Sequence, residues 1–322
     1  MTEIEGTVLV TGGAGFIGSH LVDSLLADGR RVVCVDEFND FYEPEIKREN
    51  IAAHTRNRLY TLLEADIRDL QAMRAVFERH QPAQVVHLAA RAGVRPSVEQ
   101  PLLYLEVNER GTLNLLECCR EFGVASFIFA SSSSVYGVNS KVPFSVDDSI
   151  TCPISPYAAT KRAGELMCYT YHHLYGIHAT CLRFFTVYGP RQRPDLAIHK
   201  FARLMAAGKE IPVHGDGSMK RDFTYIDDII SGVRSAMARN YPYEIFNLGN
   251  SNPISVIELV RLLEENLQMK ARIAWRPVPP GDVPITYADI GHTADLLGYK
   301  VTVPIRKGIG KFAEWFLGCS RP

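Results

Sequence analysis

Charge in excess of either sign is missing: 35 lysines and arginines stand against 36 aspartates and glutamates, a formal net charge of -1. Without a basic surplus the chain has no electrostatic footprint for nucleic acid or an anionic membrane, so an anionic ligand has to be held by a local site. Also missing is any run near the ~20 apolar residues of a membrane span, and the amino terminus enters an apolar stretch without the layout of a secretory signal. The seven cysteines, at 34, 118, 119, 152, 168, 181 and 319, form no CxxC pair, and their odd number argues against a complete disulfide framework. They read as reduced thiols, in a cytoplasmic protein. His172 and His173 have no third ligand in view, so no metal is expected. Repeats, charge runs and low-complexity segments are absent. What remains is an ordinary composition of 322 residues, 46% of them hydrophobic, enough to bury a sizeable core in one large or two moderate domains.

Residues 7–10 are a short apolar run, 16–26 show helical periodicity stopped by Asp28-Gly29, and 31–35 form a β-branched run closed by Asp36, which together make one βαβ unit. Further strands are predicted at 59–63, 84–88, 126–129 and 180–184, with helices at 69–79, 105–121, 156–175, 227–237 and 254–266. Such alternation predicts an α/β fold, a Rossmann-type doubly wound parallel sheet over 1–185, with segments near 224–252 and 286–300 returning to it. Proline and glycine punctuation beyond 186 marks 186–322 as mainly a smaller substrate-binding domain.

Between the first strand and helix lies Thr11-Gly12-Gly13-Ala14-Gly15-Phe16-Ile17-Gly18. Gly12, Gly15 and Gly18 permit a tight turn and close backbone approach to a pyrophosphate, which then sits on the amino terminus of the helix that Phe16 and Ile17 open. Asp36 stands where a carboxylate bonds the ribose hydroxyls, and an acid there repels a 2'-phosphate, so the expected cofactor is NAD. Asp66 and Ile67 suit the adenine edge, and Leu88, Ala89 and Ala90 the nicotinamide side.

Ser155-Pro156 reads as a helix N-cap and N1 pair, and on that helix Tyr157 and Lys161 stand at i and i+4, on one face. A phenol titrates near ~10, too high for a base at neutral pH, and a nearby ammonium favours the phenolate. Ser131-Ser132-Ser133-Ser134 follows a strand, so its hydroxyls should project from the carboxyl edge of the sheet, where ligands bind in open α/β folds. His87, at an apolar strand end, is expected to be structural.

TGGAGFIG at 11–18, HLAA at 87–90, SSSSVYG at 131–137, SPY with Lys161, LRFFTVYGP at 182–190 and RDFTYIDD at 221–228 occur in one order. In these motifs the chain resembles the extended short-chain dehydrogenase/reductase family, the NAD-dependent sugar-nucleotide epimerases and dehydratases. Dehydratases and UDP-glucuronate decarboxylases of that family typically carry an acid before VYG, where this chain has Ser133 and Ser134; Thr186 replaces the usual asparagine of RxFNVYGP. With 40–47 and Ala92-Gly93-Val94-Arg95, the pattern looks like that of UDP-glucuronate 4-epimerases. The resemblance implies that Tyr157 takes the C4 hydroxyl proton of a UDP-sugar while the C4 hydride passes to tightly bound NAD. It further implies that Lys161 steadies the phenolate and bonds the nicotinamide ribose, and that Ser132 orients the hydroxyl. The 4-keto sugar then turns about its diphosphate link and takes hydride on its other face. Ser132, Ser133, Ser134 and Thr186 become the candidates for holding a sugar carboxylate, and Arg95, Arg193 and Arg221 for the diphosphate. Asp282 matches a uridine ribose ligand, although Pro279 stands where related UDP-glucose epimerases commonly have arginine. Relatives usually form homodimers through two helices packed as a four-helix bundle. A neutral UDP-hexose or UDP-N-acetylhexosamine 4-epimerase, a decarboxylating UDP-glucuronate relative, and an NAD-binding sensor or scaffold without chemistry stay open as alternatives.

Overall fold

A computed structural model describes residues 4–139, 141–278 and 283–319. Strands β1 (Val8–Thr11), β2 (Val32–Asp36), β3 (Tyr60–Glu64), β4 (Gln84–His87), β5 (Ser126–Ser132), β6 (His178–Phe184) and β7 (Tyr243–Leu248) form one parallel sheet in the order β3-β2-β1-β4-β5-β6-β7. Alternate residues feed two cores. Val8, Val10, Cys34, Ile128 and Leu182 face α1 (Phe16–Ala27) and α5 (Ile226–Arg239). Leu9, Val33, Phe127, Phe129 and Cys181 face α2 (Leu70–His80), α3 (Gly111–Phe122) and α4 (Pro156–Tyr175). Burial on both faces is why these strands read as near-continuous apolar runs, and each such side chain contributes roughly 1.5–3 kcal/mol on leaving water.

Three elements differ from the sequence expectation. The helix foreseen at 105–121 enters through a π-helical turn, Leu105–Arg110, after short helices Val94–Glu99 and Pro101–Tyr104. Asn108 on that turn accepts from the Arg91 N–H (2.8 Å) and donates to the Arg91 carbonyl (3.0 Å) and Thr160 Oγ1 (3.0 Å), tertiary bonds that favour the wider turn. The helix foreseen from 254 starts two residues later, as α6 (Val256–Leu267), because Ile254–Ser255 pairs with Lys220–Arg221 and the Ser255 hydroxyl caps the Glu258 N–H. Strand β5 runs on to Ser132, which carries the serines to the carboxyl edge.

Beyond β6 the chain builds short pairings beside that edge: Thr186–Tyr188 with Phe223–Tyr225, Lys220–Arg221 with Ile285–Thr286, and Glu210–His214 with Arg272–Arg276. Helix α7 (Ile305–Cys319) packs on α6. Within the 224–252 segment, β7 rejoins the main sheet, and Gly291–Leu297 packs against β7 and α5.

Candidate active site

The chain leaves β1 at Thr11 and turns through Gly12 at φ +69° into α1, whose N-cap Gly15 has no side chain to satisfy the first-turn N–H groups. A Cβ on Gly12 would meet the Ala89 backbone at 2.8 Å, and one on Gly18 would run into the Gly12 carbonyl. Buried Asp36 closes β2, accepting from the N–H groups of Ala14 (3.2 Å) and Phe38 (3.0 Å). Burial raises its carboxyl above the usual range, opposed by the Lys47 ammonium at 3.8 Å and by those two N–H groups.

From this turn a cavity of about 390 Å³ runs along the carboxyl edge. Gly12, Gly15, Phe16, Ile17, Gly18, Asp36 and Ile67 line one end, Leu88, Ala89 and Ala90 the middle, and Ser132, Ser133, Ser134, Tyr157, Lys161, Thr186 and Arg193 the other. Asp66 is not on this wall; its carboxylate is forked by Arg68 (2.8 and 2.5 Å). Lys47, Phe41 and Tyr42 do line it, and the sequence did not single them out one by one. The guanidinium carbons of Arg91 and Arg193 lie over the Phe41 ring at 5.8 and 5.0 Å, which closes the segment after β2 over the cleft.

Ser155 caps α4 by accepting the Ala158 N–H (3.1 Å), with Pro156 at the first position. Gly164 lets this helix lie close on β5, since a Cβ there would reach the Phe129 ring, 2.8 Å from Cε1. Lys161 is thereby buried with Nζ 5.0 Å from the Phe129 ring centre, donating to the Ala130 carbonyl (2.7 Å). Burial lowers its ammonium to about 8, against Cys168 and Glu165, which raise it. Burial also raises the Tyr157 phenol, while the Ser132 hydroxyl and the Arg193 guanidinium pull it back. Arg193 is thus one cation that favours the phenolate, while Lys161 Nζ is held on the Ala130 carbonyl. Ser132 accepts the Ser134 N–H (3.1 Å) and donates to Ser134 Oγ (3.2 Å), ordering the hydroxyl turn. Thr186 is fixed by its N–H on the Asp222 carbonyl (3.1 Å).

Two arginines stand apart from the cavity wall. Arg95 is exposed, 3.4 Å from His214 Nε2, and Arg221 donates to the carbonyls of Lys220 and Val283 at 2.9 Å each. Arg193 lies on the wall, forking Asp195 at 3.0 and 2.7 Å. Asp282 and Pro279 lie outside the described residues. Among the described residues no cluster of His, Cys, Asp and Glu could hold a metal ion, and no helix is long and apolar enough to cross a membrane.

Residues 8–249 match the NAD dependent epimerase/dehydratase family. The chain belongs to that family. It is 44% identical over 329 residues to UDP-glucuronate 4-epimerase 4 of Arabidopsis thaliana, covering 97% of this chain and 75% of the relative. A UDP-glucuronic acid 4-epimerase from Bacillus cereus, solved in complex with UDP-glucuronic acid and NAD, superposes with a TM-score of 0.90 at 36% identity, over 97% of this chain and 99% of that one. A UDP-glucose 4-epimerase from Thermotoga maritima, solved with UDP-glucose, gives 0.89 at 34% identity, over 98% and 100%.

The residues of this epimerase-family enzyme fit NAD. The space that Cβ atoms on Gly12 and Gly18 would fill stays open, α1 presents first-turn N–H groups to a pyrophosphate, and Asp36 offers a carboxylate to ribose hydroxyls. His87 has a structural setting: its Nδ1 and Nε2 lie 2.7 and 3.0 Å from the hydroxyls of Thr11 and Thr112, and burial pushes its pKa down from 6.5 to about 3. A ring that binds a proton unfolded but not folded makes stability fall as pH drops below 6.5 towards 3. Between pH 7 and pH 5 this amounts to about 2 kcal/mol. Urea unfolding should show that loss in the wild type and less of it in His87→Gln.

Proposed function

We propose that this enzyme interconverts UDP-glucuronate and UDP-galacturonate by epimerisation at C4. The observation that carries the reading is the hydroxyl wall beside Tyr157, where Ser133 and Ser134 stand in place of the acid of dehydratases and decarboxylases and Ser132 and Thr186 line the same cavity. Bound NAD supplies a reversible hydride acceptor. Tyr157 takes the C4 hydroxyl proton and later returns it, Ser132 orients that hydroxyl, and Lys161 supplies positive charge beside them. Arg193 sits where a phosphate or carboxylate of the substrate can replace Asp195, and Arg95, Arg221 and Asp282 are proposed for the nucleotide side.

A 4-keto glucuronate is a β-keto acid and loses CO2 when its carboxylate bond aligns with the carbonyl π system. Hydroxyls that hold the carboxylate off that alignment suppress the loss, and being neutral they release the sugar to turn over. Thr186→Ala is therefore expected to raise the UDP-pentose fraction of the product several-fold, read by chromatography; unchanged CO2 release with normal affinity would remove Thr186 from this role. The function itself is tested by incubating the NAD-loaded enzyme separately with UDP-glucuronate and UDP-glucose. Conversion of the first alone supports the reading, and conversion of UDP-glucose alone makes the enzyme a neutral-hexose epimerase like the Thermotoga maritima relative.

We also propose a homodimer through α3 and α4, which pack together and expose Leu113, Leu166 and Tyr169. Leu166→Glu is expected to shift the particle from twice the chain mass to one chain mass in light scattering; a wild-type particle already of one chain mass would contradict it.

A further inference from the structure

A buried charge cluster lies directly beneath the catalytic end of the cleft. Ser131, Arg183 and Asn247 are neighbours in register near the carboxyl ends of β5, β6 and β7. Two residues earlier the same face carries Phe129 and Cys181, so the apolar core gives way here to a polar layer. Glu165 on α4, four residues beyond Lys161 and eight beyond Tyr157, descends onto that layer, with its side chain 0% exposed and that of Arg183 2%. Its Oε1 accepts from Ser131 Oγ (2.6 Å) and Arg183 Nε (2.8 Å), and its Oε2 from Arg183 Nη2 and Arg162 Nη1 (2.9 Å each). Arg183 Nη1 donates to the Tyr136 hydroxyl (2.9 Å), which donates to Asn247 Oδ1 (2.7 Å).

A buried ion pair costs desolvation that its attraction does not reliably repay, and an apolar pair of like volume would join helix to sheet at least as firmly. Stability alone does not account for it. We propose that Glu165 and Arg183 are positioning residues for the epimerisation. They tie the helix that carries Tyr157 and Lys161 to Ser131, just before the Ser132–Ser134 hydroxyls, and to Tyr136, two residues after them, so that phenol, ammonium and serine keep one geometry as the sugar turns. The proposal rests on the roles of Tyr157, Lys161 and Ser132 given above; neither Glu165 nor Arg183 lines the cleft itself.

Glu165 also acts on Lys161 through its charge. The groups facing that ammonium are Glu165 and Cys168 on its own helix, the neutral His87 on β4, and the Phe129 ring and Ala130 carbonyl on β5. Removing the Glu165 anion leaves Arg183 unneutralised, and both changes disfavour the Lys161 ammonium; removing Arg183 does the reverse.

The test measures kcat, KM, the pH profile of kcat, melting temperature and bound NAD for Glu165→Gln, Arg183→Met, the double variant and Ser131→Ala. In Glu165→Gln, kcat should fall about tenfold to a hundredfold with KM within twofold, and the alkaline limb should move to lower pH. Arg183→Met should move that limb upward, and the double variant should return it towards the wild type. Ser131→Ala, which keeps both charges, should lose kcat with the limb unmoved, and it tests the tie if the charge variants fail to fold. Losses that follow melting temperature with the limb fixed in every variant, or wild-type kcat in folded Ser131→Ala, overturn the proposal. Tyr157→Phe is run alongside: if it keeps wild-type turnover, the site reading fails, whereas an inactive Tyr157→Phe beside a fully active, folded Glu165→Gln sinks the positioning role alone.

Discussion

Replacing Tyr157 with phenylalanine is expected to lower turnover by about 10²–10⁴-fold, the usual contribution of a positioned general acid–base group, with fold and NAD content unchanged. The ring keeps its place because α4 is set by the Ser155 cap and by the seat of Gly164 on Phe129, and because the ring of Tyr104 meets it edge-on at 6.3 Å. Only the hydroxyl is lost, the group proposed to move the C4 proton. Burial raises the phenol, and Ser132 and Arg193 pull it back. Lys161, lowered to about 8, has to stay protonated for the charge balance, so wild-type kcat should decline as pH rises through about 8. A Tyr157→Phe enzyme within threefold of wild-type kcat would remove the phenol from the mechanism.

Gly18→Ala is expected to yield a folded enzyme without NAD. The added methyl points at the Gly12 carbonyl and lies 2.7 Å from Gly13 Cα, so backbone has to move where a flexible side chain would simply swing aside. Overpacking of this kind costs about 1–3 kcal/mol. Because the displaced atoms form the pyrophosphate turn, that cost should be felt chiefly in binding, as NAD affinity lower by roughly tenfold to a hundredfold. Absorbance of the purified protein and calorimetric titration with NAD measure it. A variant that co-purifies with NAD as the wild type does would show that the turn does not cradle the pyrophosphate closely.

The sheet was legible because its strands are buried on both faces, which leaves apolar runs such as 31–35 and 84–88 alternating with amphipathic helices. The cofactor turn was legible because glycine is the one residue that lets Gly12 and Gly18 approach so closely. Long-range pairings left no such trace. Lys47 beside Asp36, Asn108 widening a helical turn, and Glu165 meeting Arg183 across helix and sheet are ordinary polar residues in sequence, and only the fold brings each to its partner. Asp66, which its place after the third strand suits to the adenine edge, is paired with the nearby Arg68, a local contact that the sequence left unread. Arg95 and Arg221 stand off the cavity wall, anchored on His214 and on the Lys220 and Val283 carbonyls, and they stay proposals for the nucleotide side.

The most direct measurement uses UDP-glucuronate carrying deuterium at C4, with the purified NAD-loaded enzyme and no added reductant. Oxidation and re-reduction at one carbon within one active site predict UDP-galacturonate as the main product, keeping the deuterium at C4, with UDP-pentose a minor product and no hydrogen drawn from water at that carbon. A product with solvent hydrogen at C4, or deuterium found mainly in a UDP-pentose, would contradict C4 epimerisation through a transient ketone.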